Sequence, residues 1–281
     1  MENPYHRQYL DNQLRSLQLK ELEILLEIDK ICRKHHIDYW LDGGTLLGAV
    51  RHKGFIPWDD DIDIVMRKED VPAFRKYAQE ELPQWLFYQD SGTDPSIRLP
   101  YIKVRHLNSY FVEYGDDFSR PYQKGIFVDI FPFVDYPDAD RNFARKILKN
   151  INKSRAILRV QHYYSVRSFV EFFYFGAKNI FFSAIWKLIC TFKKGDKCIG
   201  NLLEHNGYGK FHDKKVVFPL TEIEFEGHVF PAPNDPHQYC EDLYPNHMQL
   251  PPEDERKAHS IFFMTELTRP DCSQPVQKKD K

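Results

Sequence analysis

The residues best suited to chemistry lie in Trp58-Asp59-Asp60-Asp61-Ile62-Asp63-Ile64-Val65. In an extended strand alternate residues share a face, so Asp59, Asp61 and Asp63 fall on one side and Ile62 and Ile64 on the other. Asp60 then points away. Two residues of strand span roughly 7 Å, close enough for Asp61 and Asp63 to converge on one ion. Carboxylates crowded on one face repel each other unless a cation or a proton relieves them. An all-oxygen donor set favours a hard ion, Mg²⁺ or Mn²⁺. Such an ion commonly bridges the phosphate oxygens of a nucleotide. A solvated acidic turn would explain the acidity but not the alternation with isoleucine. Asp59 sits where loop becomes strand and is the least secure of the three.

A distant carboxylate stands in Gly125-Ile126-Phe127-Val128-Asp129-Ile130-Phe131-Pro132. One charge in an apolar strand is costly to bury alone. Asp129 is therefore expected to face the same site, holding the ion or acting as general base toward an acceptor hydroxyl. The plainer alternative is a hydrogen bond to a neighbouring loop. Gly43-Gly44-Thr45 falls between a strand and a helix, where glycines let a phosphate approach and the helix N-terminus supplies N–H donors. Alone that motif is weak. Lys103 and Arg105 alternate with Ile102 and Val104, so both can face donor phosphates, or they are surface charge on an edge strand. Arg51, His52 and Lys53 are within reach of the same place.

These residues need a scaffold. Asn12 to His36 reads as an amphipathic helix, with Leu14, Leu17, Leu22, Leu25, Ile28 and Cys32 at helical spacing. Ile37 to Leu41 reads as a strand, broken by Gly43-Gly44, with Thr45 as N-cap of a short helix. Asp61 to Met66 is a second strand, and Asp70 caps a helix with Pro72 in its first turn. Ile102 to Leu107, Tyr110 to Tyr114 and Gly125 to Phe133 are further strands. Thr221 to Phe225 and His228 to Phe230 flank Glu226-Gly227 as a hairpin. Asn234-Asp235-Pro236 and Pro251 to Arg256 look like helix starts, and Asp271 to Lys281 is a polar, frayed end. The mixture implies an α/β (α+β) fold, a mixed sheet flanked by helices.

Three regions follow: a catalytic core over 1–136, a helical insertion over 137–215, and a hairpin with helices over 216–281 that completes the core. The insertion opens with a charged helix and continues as an aromatic-rich stretch from His162 to Phe192, including Tyr163 and Tyr164. Charges at Glu171, Lys178 and Lys187 deny it the roughly 18 uninterrupted apolar residues of a spanning helix. It either packs internally or lies on a membrane surface with Arg167, Lys178, Lys187, Lys193 and Lys194 toward anionic headgroups.

The net charge of -2 argues against nucleic acid as partner. The polar start has no secretory h-region. The five cysteines are odd in number and form no C-x-x-C pair, which reads as reduced thiols in a cytoplasmic protein, at most peripheral on the inner membrane face. Cys240 with His237 or His247 is the one zinc combination worth naming, and ordinary packing is preferred to it.

Tyr39-Trp40-Leu41-Asp42-Gly43-Gly44-Thr45-Leu46-Leu47-Gly48-Ala49-Val50-Arg51-His52 and Ile56-Pro57-Trp58-Asp59-Asp60-Asp61-Ile62-Asp63 together resemble the LicD family of phosphotransferases, within the nucleotidyltransferase fold superfamily. Lys103-Val104-Arg105, Gly125 to Pro132, Glu226-Gly227, Phe230 to Pro233 and Tyr244 to Pro252 extend the similarity to most of the chain outside residues 137–215. The resemblance implies transfer of phosphocholine from CDP-choline, or of another phospho-alcohol from its CDP derivative, to a sugar of a cell-surface glycan such as lipopolysaccharide or teichoic acid, free or lipid-linked. It assigns Asp61 and Asp63 to the metal and Asp129 to the third acidic position. A choline headgroup would want aromatic faces, and Trp58, Tyr101 and Tyr110 lie nearest the motifs in sequence. A nucleotide-sugar glycosyltransferase using Asp61-Ile62-Asp63 is a rival, although such folds place a longer nucleotide-binding region before that motif. A non-catalytic membrane-associated scaffold is another.

Overall fold

A computed structural model describes residues 4–97, 99, 101–114, 116–159, 165–193, 195, 197–202, 210–256 and 258–267. The first helix, α1 (Pro4–His35), starts earlier than the apolar periodicity requires. It buries Leu17, Ile24, Leu25, Ile28 and Cys32. Its last turn carries Arg33, Lys34 and His35, which complement the carbonyl end of the helix dipole. The chain turns at His36 (φ 55) into β1 (Tyr39–Leu41). Then come α2 (Gly43–His52), β2 (Asp63–Arg67), α3 (Val71–Glu81), β3 (Leu86–Gln89), β4 (Ile102–His106), β5 (Tyr110–Glu113) and β6 (Phe127–Tyr136). Two long helices follow, α4 (Arg141–Arg159) and α5 (Val166–Phe192). The chain closes with β7 (Cys198–Asn201), β8 (His212–Asp213), α6 (Lys214–Val217), β9 (Thr221–Phe225), β10 (His228–Ala232), α7 (Pro236–Leu243), a single 3-10 turn at Glu253–Glu255, and β11 (Ser260–Met264).

The main sheet runs β1-β2-β6-β4-β3. Strands β2 and β6 are parallel, and their other neighbours are antiparallel. The mixed α/β sheet flanked by helices therefore agrees with the expectation. β6 is long enough to pair with β4 through Phe127–Ile130 and with β7 through Phe133–Tyr136. It is almost wholly buried, which is why it reads as a near-continuous apolar run. One large core lies between the sheet, α1, α2 and the β9–β10 hairpin. A smaller one joins α4, α5, Tyr136 and Phe211.

Several local expectations are corrected. β2 begins at Asp63, so Asp59 to Ile62 belong to the approach to the strand. Thr45 does not cap α2, because the helix starts at Gly43 with Asp42 in the N-cap position. Asp70 precedes α3 but makes no side-chain cap bond. The stretch after Pro251 yields one 3-10 turn without a side-chain cap, not a helix. By contrast Asp235 caps α7, accepting from the Gln238 N–H at 2.9 Å. Within 137–215 the helices are α4 and α5, whereas β7 and β8 add to the main sheet. Those strands are short, and β7 carries Gly200 within it, so they leave little periodicity to read. The expectations for His162, Tyr163, Tyr164, Lys194 and the frayed end from Asp271 lie outside the described residues.

Candidate active site

The sheet register brings the ionisable residues together. Asp63 of β2 stands opposite Asp129 of β6, and Asp129 stands opposite Lys103 of β4. Three adjacent strands thus carry a carboxylate, a carboxylate and an ammonium in one row. The backbone continues the alignment, with the Asp129 N–H donating to the Ile62 carbonyl at 2.9 Å. Lys103 Nζ lies 2.9 Å from Asp129 Oδ1 and 3.2 Å from Glu113 Oε2. It also sits 3.2 Å from the centroid of the Phe127 ring. Burial pushes the Asp129 carboxyl up to about 7; Lys103 opposes that rise while Glu113 and Asp61 add to it.

Asp59, Asp60, Asp61 and His259 offer ligating atoms within 4.8 Å of one another. Their situations differ. Both Asp60 oxygens are already engaged, accepting from the His259 N–H at 2.7 Å and the Ser260 N–H at 2.6 Å. Asp60 therefore holds the start of β11 while its carboxylate stays within the cluster. His259 Nδ1 is 3.3 Å from Asp61 Oδ2. That hydrogen bond, with the surrounding aspartates, raises the imidazole to about 9, so the ring is cationic at neutral pH. Burial raises Asp59 and Asp63 well above the ordinary carboxylate range, and Asp61 is the largest charge acting on each. Behind them Glu21 of α1 is fully buried, and neither of its oxygens has a hydrogen-bond partner. Its carboxyl is pushed up by burial and then by Asp61.

So many acidic groups crowded at the floor of one cleft fit a divalent cation, because a hard positive charge removes the repulsion that otherwise favours protonation. Asp59, Asp61 and His259 present ligating atoms close enough to share one ion, and Asp63 lines the same cleft. Asp60 is committed to backbone amides.

The elements around the cluster explain the glycines. A Cβ on Gly43 would lie 2.8 Å from Asp63 Oδ2, and one on Gly44 would lie 2.5 Å from Asp59 Oδ2. Gly43 also has φ +53, which favours glycine. The Gly-Gly pair thus lets two carboxylates rest against the start of α2. Thr45 Oγ1 accepts from the Asp63 N–H at 2.8 Å and fixes the first residue of β2. Gln18 of α1 donates to the Asp59 carbonyl at 2.9 Å. Asp42 accepts from the Tyr239 hydroxyl at 2.7 Å, while His212 stacks on that tyrosine with centroids 3.7 Å apart.

A cleft of about 540 Å³ opens over the cluster, lined by Gly44, Asp59, Asp61 and Asp63 on one side and by Trp58, Arg51 and Tyr244 among others. Arg51 donates to the carbonyls of His247 and Gln249, which ties this wall to the Tyr244–Pro252 segment. The other basic residues fall elsewhere. Lys103 is fully buried and paired with Asp129, and Arg105 is buried against Gln89 and the Gly125 carbonyl. Neither lines the cleft. Of the three aromatics considered for a choline headgroup, Trp58 lines the cleft, with Arg256 4.9 Å from its ring centroid. Tyr101 lines a smaller cavity of about 220 Å³ with Glu113, Asp116 and Tyr122. Tyr110 lines neither and pairs with Met264 of β11. His237 and His247 do meet, at 3.2 Å, but the Cys240 thiol is buried in the core, so no zinc site forms from these three.

Glu21, Tyr239 and His259 escape the sequence reading. Nothing local marks them, since each acquires its place through a contact from a distant segment. Asp42 and Tyr244 had one signal, the resemblance blocks they belong to.

The family model described as LicD/FKTN/FKRP, nucleotidyltransferase domain, matches residues 36–147. That span contains β1, α2, β2, β4 and β6, the elements that carry the acidic row. The lipopolysaccharide cholinephosphotransferase LicD of Haemophilus influenzae is 30% identical over 264 residues, covering 88% of this chain and 96% of that protein. The chain belongs to the LicD family. A further LicD-family likeness is short: the human and mouse ribitol 5-phosphate transferase FKRP are each 57% identical over 35 residues, 12% of this chain and 7% of theirs.

Proposed function

We propose that this LicD-family protein transfers a phospho-alcohol from a CDP derivative to a sugar hydroxyl of a cell-surface glycan, with phosphocholine from CDP-choline as the first choice. The observation that carries the reading is the near-full-length likeness to a lipopolysaccharide cholinephosphotransferase. The acceptor oxygen attacks the phosphorus that bears the alcohol, the bond from that phosphorus to the bridging oxygen breaks, and CMP leaves. Asp129, raised to about 7 and aligned with Asp63, takes the hydroxyl proton. Arg51 in the cleft wall and the N-terminal N–H groups of α2 face the donor phosphates. A divalent ion held by Asp59, Asp61 and Asp63 would supply charge stabilisation to the phosphate oxygens. Trp58 offers an aromatic wall to the alcohol.

The test is a donor panel of CDP-choline, CDP-ribitol, CDP-glycerol and UDP-sugars with Mg²⁺ or Mn²⁺ and a glycan acceptor. CMP release from one CDP-alcohol is the expected result. Turnover of a UDP-sugar with none of the CDP donors would replace the proposal with glycosyl transfer.

Gly44→Ala separates chemistry from stability. Alanine is better than glycine within a helix by about 1 kcal/mol, which offsets the crowding. The new Cβ at 2.5 Å still displaces the Asp59 carboxylate. A shift on the order of 1 Å costs roughly 10²-fold in rate. Initial rates are expected to fall by about that factor while the melting temperature moves little. Normal turnover would show that Asp59 need not stay where it is.

A further inference from the structure

Helices α4 and α5 take no part in the site. They pack on each other through Ala144, Ile147, Leu148 and Ile151 on one side and Phe182, Ile185 and Trp186 on the other. Among the described residues, most of the other α5 side chains are exposed. Val166, Phe169, Phe173, Ile180, Phe181 and Leu188 recur at helical spacing and are all exposed, Val166 to 84% and Ile180 to 72%. A contiguous apolar face of this kind marks a surface that meets something other than water. It does not mark a bilayer crossing, because among the described residues no helix is long and apolar enough.

The neighbouring charge identifies the occupant. α4 holds seven Lys and Arg residues and no acidic residue. Lys146, Lys149 and Lys153 are exposed and recur along one stripe with Asn142 and Ala156. Lys210 stands nearby and donates to the Asp242 and Leu243 carbonyls at 2.8 Å; burial and then Arg145 lower its amine, and Asp242 opposes them. A second copy of the chain would bring a second set of cations to the junction. A plane of anionic headgroups neutralises them.

We propose that the α4–α5 hairpin seats the protein on an anionic bilayer surface. α5 lies in the interface with its aromatic face at the acyl boundary, and the lysines of α4 attract the headgroups beside it. The contact stands whichever group the enzyme transfers.

The test is flotation of the full chain with phosphatidylcholine vesicles, with and without phosphatidylglycerol. The protein is expected to float with the anionic vesicles, and to release as salt is raised. Phe169→Asp with Phe173→Asp and Phe181→Asp abolishes flotation and leaves the circular dichroism unchanged. Each lysine near such a surface contributes about a fivefold factor, so Lys146→Glu with Lys149→Glu and Lys153→Glu lowers partitioning on the order of a hundredfold or more. Those three lysines are exposed, so their replacement keeps the test open if the aromatic variant aggregates. Absence of flotation with anionic vesicles, or indifference to both sets, overturns the proposal. So does a dimer in light scattering without lipid that the aromatic variant splits, since a second copy would then own the face.

Discussion

Asp63→Asn is expected to lower turnover by about 10³-fold and to remove the rise in melting temperature that Mg²⁺ or Mn²⁺ gives the parent protein. Asp63 is half-buried opposite Asp129 and close to Gly43, and desolvation with Asp61 holds its carboxyl well above the ordinary range. Without metal, each carboxyl raised in the folded state favours folding only while protonated. That stability is fully present below about pH 4 and is lost as pH rises through the folded values. Asp129, raised to about 7, places one such loss near neutrality. The metal-free parent should therefore melt lower at pH 8 than at pH 5, and added metal should restore more at pH 8. The Asn variant removes one of the repelling charges. It should melt higher than the metal-free parent at pH 8 while remaining inactive. Thermal melts at both pH values, with and without chelator, check this beside initial rates. Undiminished turnover, or a metal response equal to that of the parent, would remove Asp63 from the site.

The acidic run was legible because carboxylates are costly and their pattern with isoleucine was regular. Alternation set Asp60 apart from Asp61 and Asp63, whereas its carboxylate stays within reach of Asp59, Asp61 and His259 while it holds β11. The alternation does not hold there because β2 starts only at Asp63. The lone charge in an apolar strand led to Asp129, because an unpaired buried carboxylate demands a partner. Which partner could not be read. Register is a property of two strands, and only the β4–β6 pairing shows that Lys103 answers Asp129 instead of a donor phosphate. The glycines were read as room for phosphate, whereas the close approach seen is by Asp63 and Asp59. His259 reaches the cluster from about 200 residues away through β11, whose partner β5 is equally remote. Such contacts leave no local period.

Lys103→Met is expected to cost about 3 kcal/mol of stability at pH 8.5 and much less at pH 5.5. The ammonium is wholly buried, Asp129 is 8% exposed and Glu113 is 32% exposed. Breaking a buried pair by removing one partner costs about 3–5 kcal/mol, because the other charge stays behind without compensation. Glu113 can turn to water, so its share is small. Asp129 has no such exit and answers by binding a proton. The substitution therefore raises Asp129 beyond about 7, and the penalty depends on pH. Below neutrality the carboxyl is already neutral, and methionine loses only a hydrogen bond of about 1 kcal/mol while keeping the packing on Phe127. Urea denaturation at the two pH values measures the difference. The same change should move the acid limb of the pH–rate profile upward if Asp129 is the base, an effect that lost packing alone would not produce. Equal destabilisation at both pH values, with an unshifted profile, would mean that Lys103 acts by filling space and that its charge does not govern Asp129.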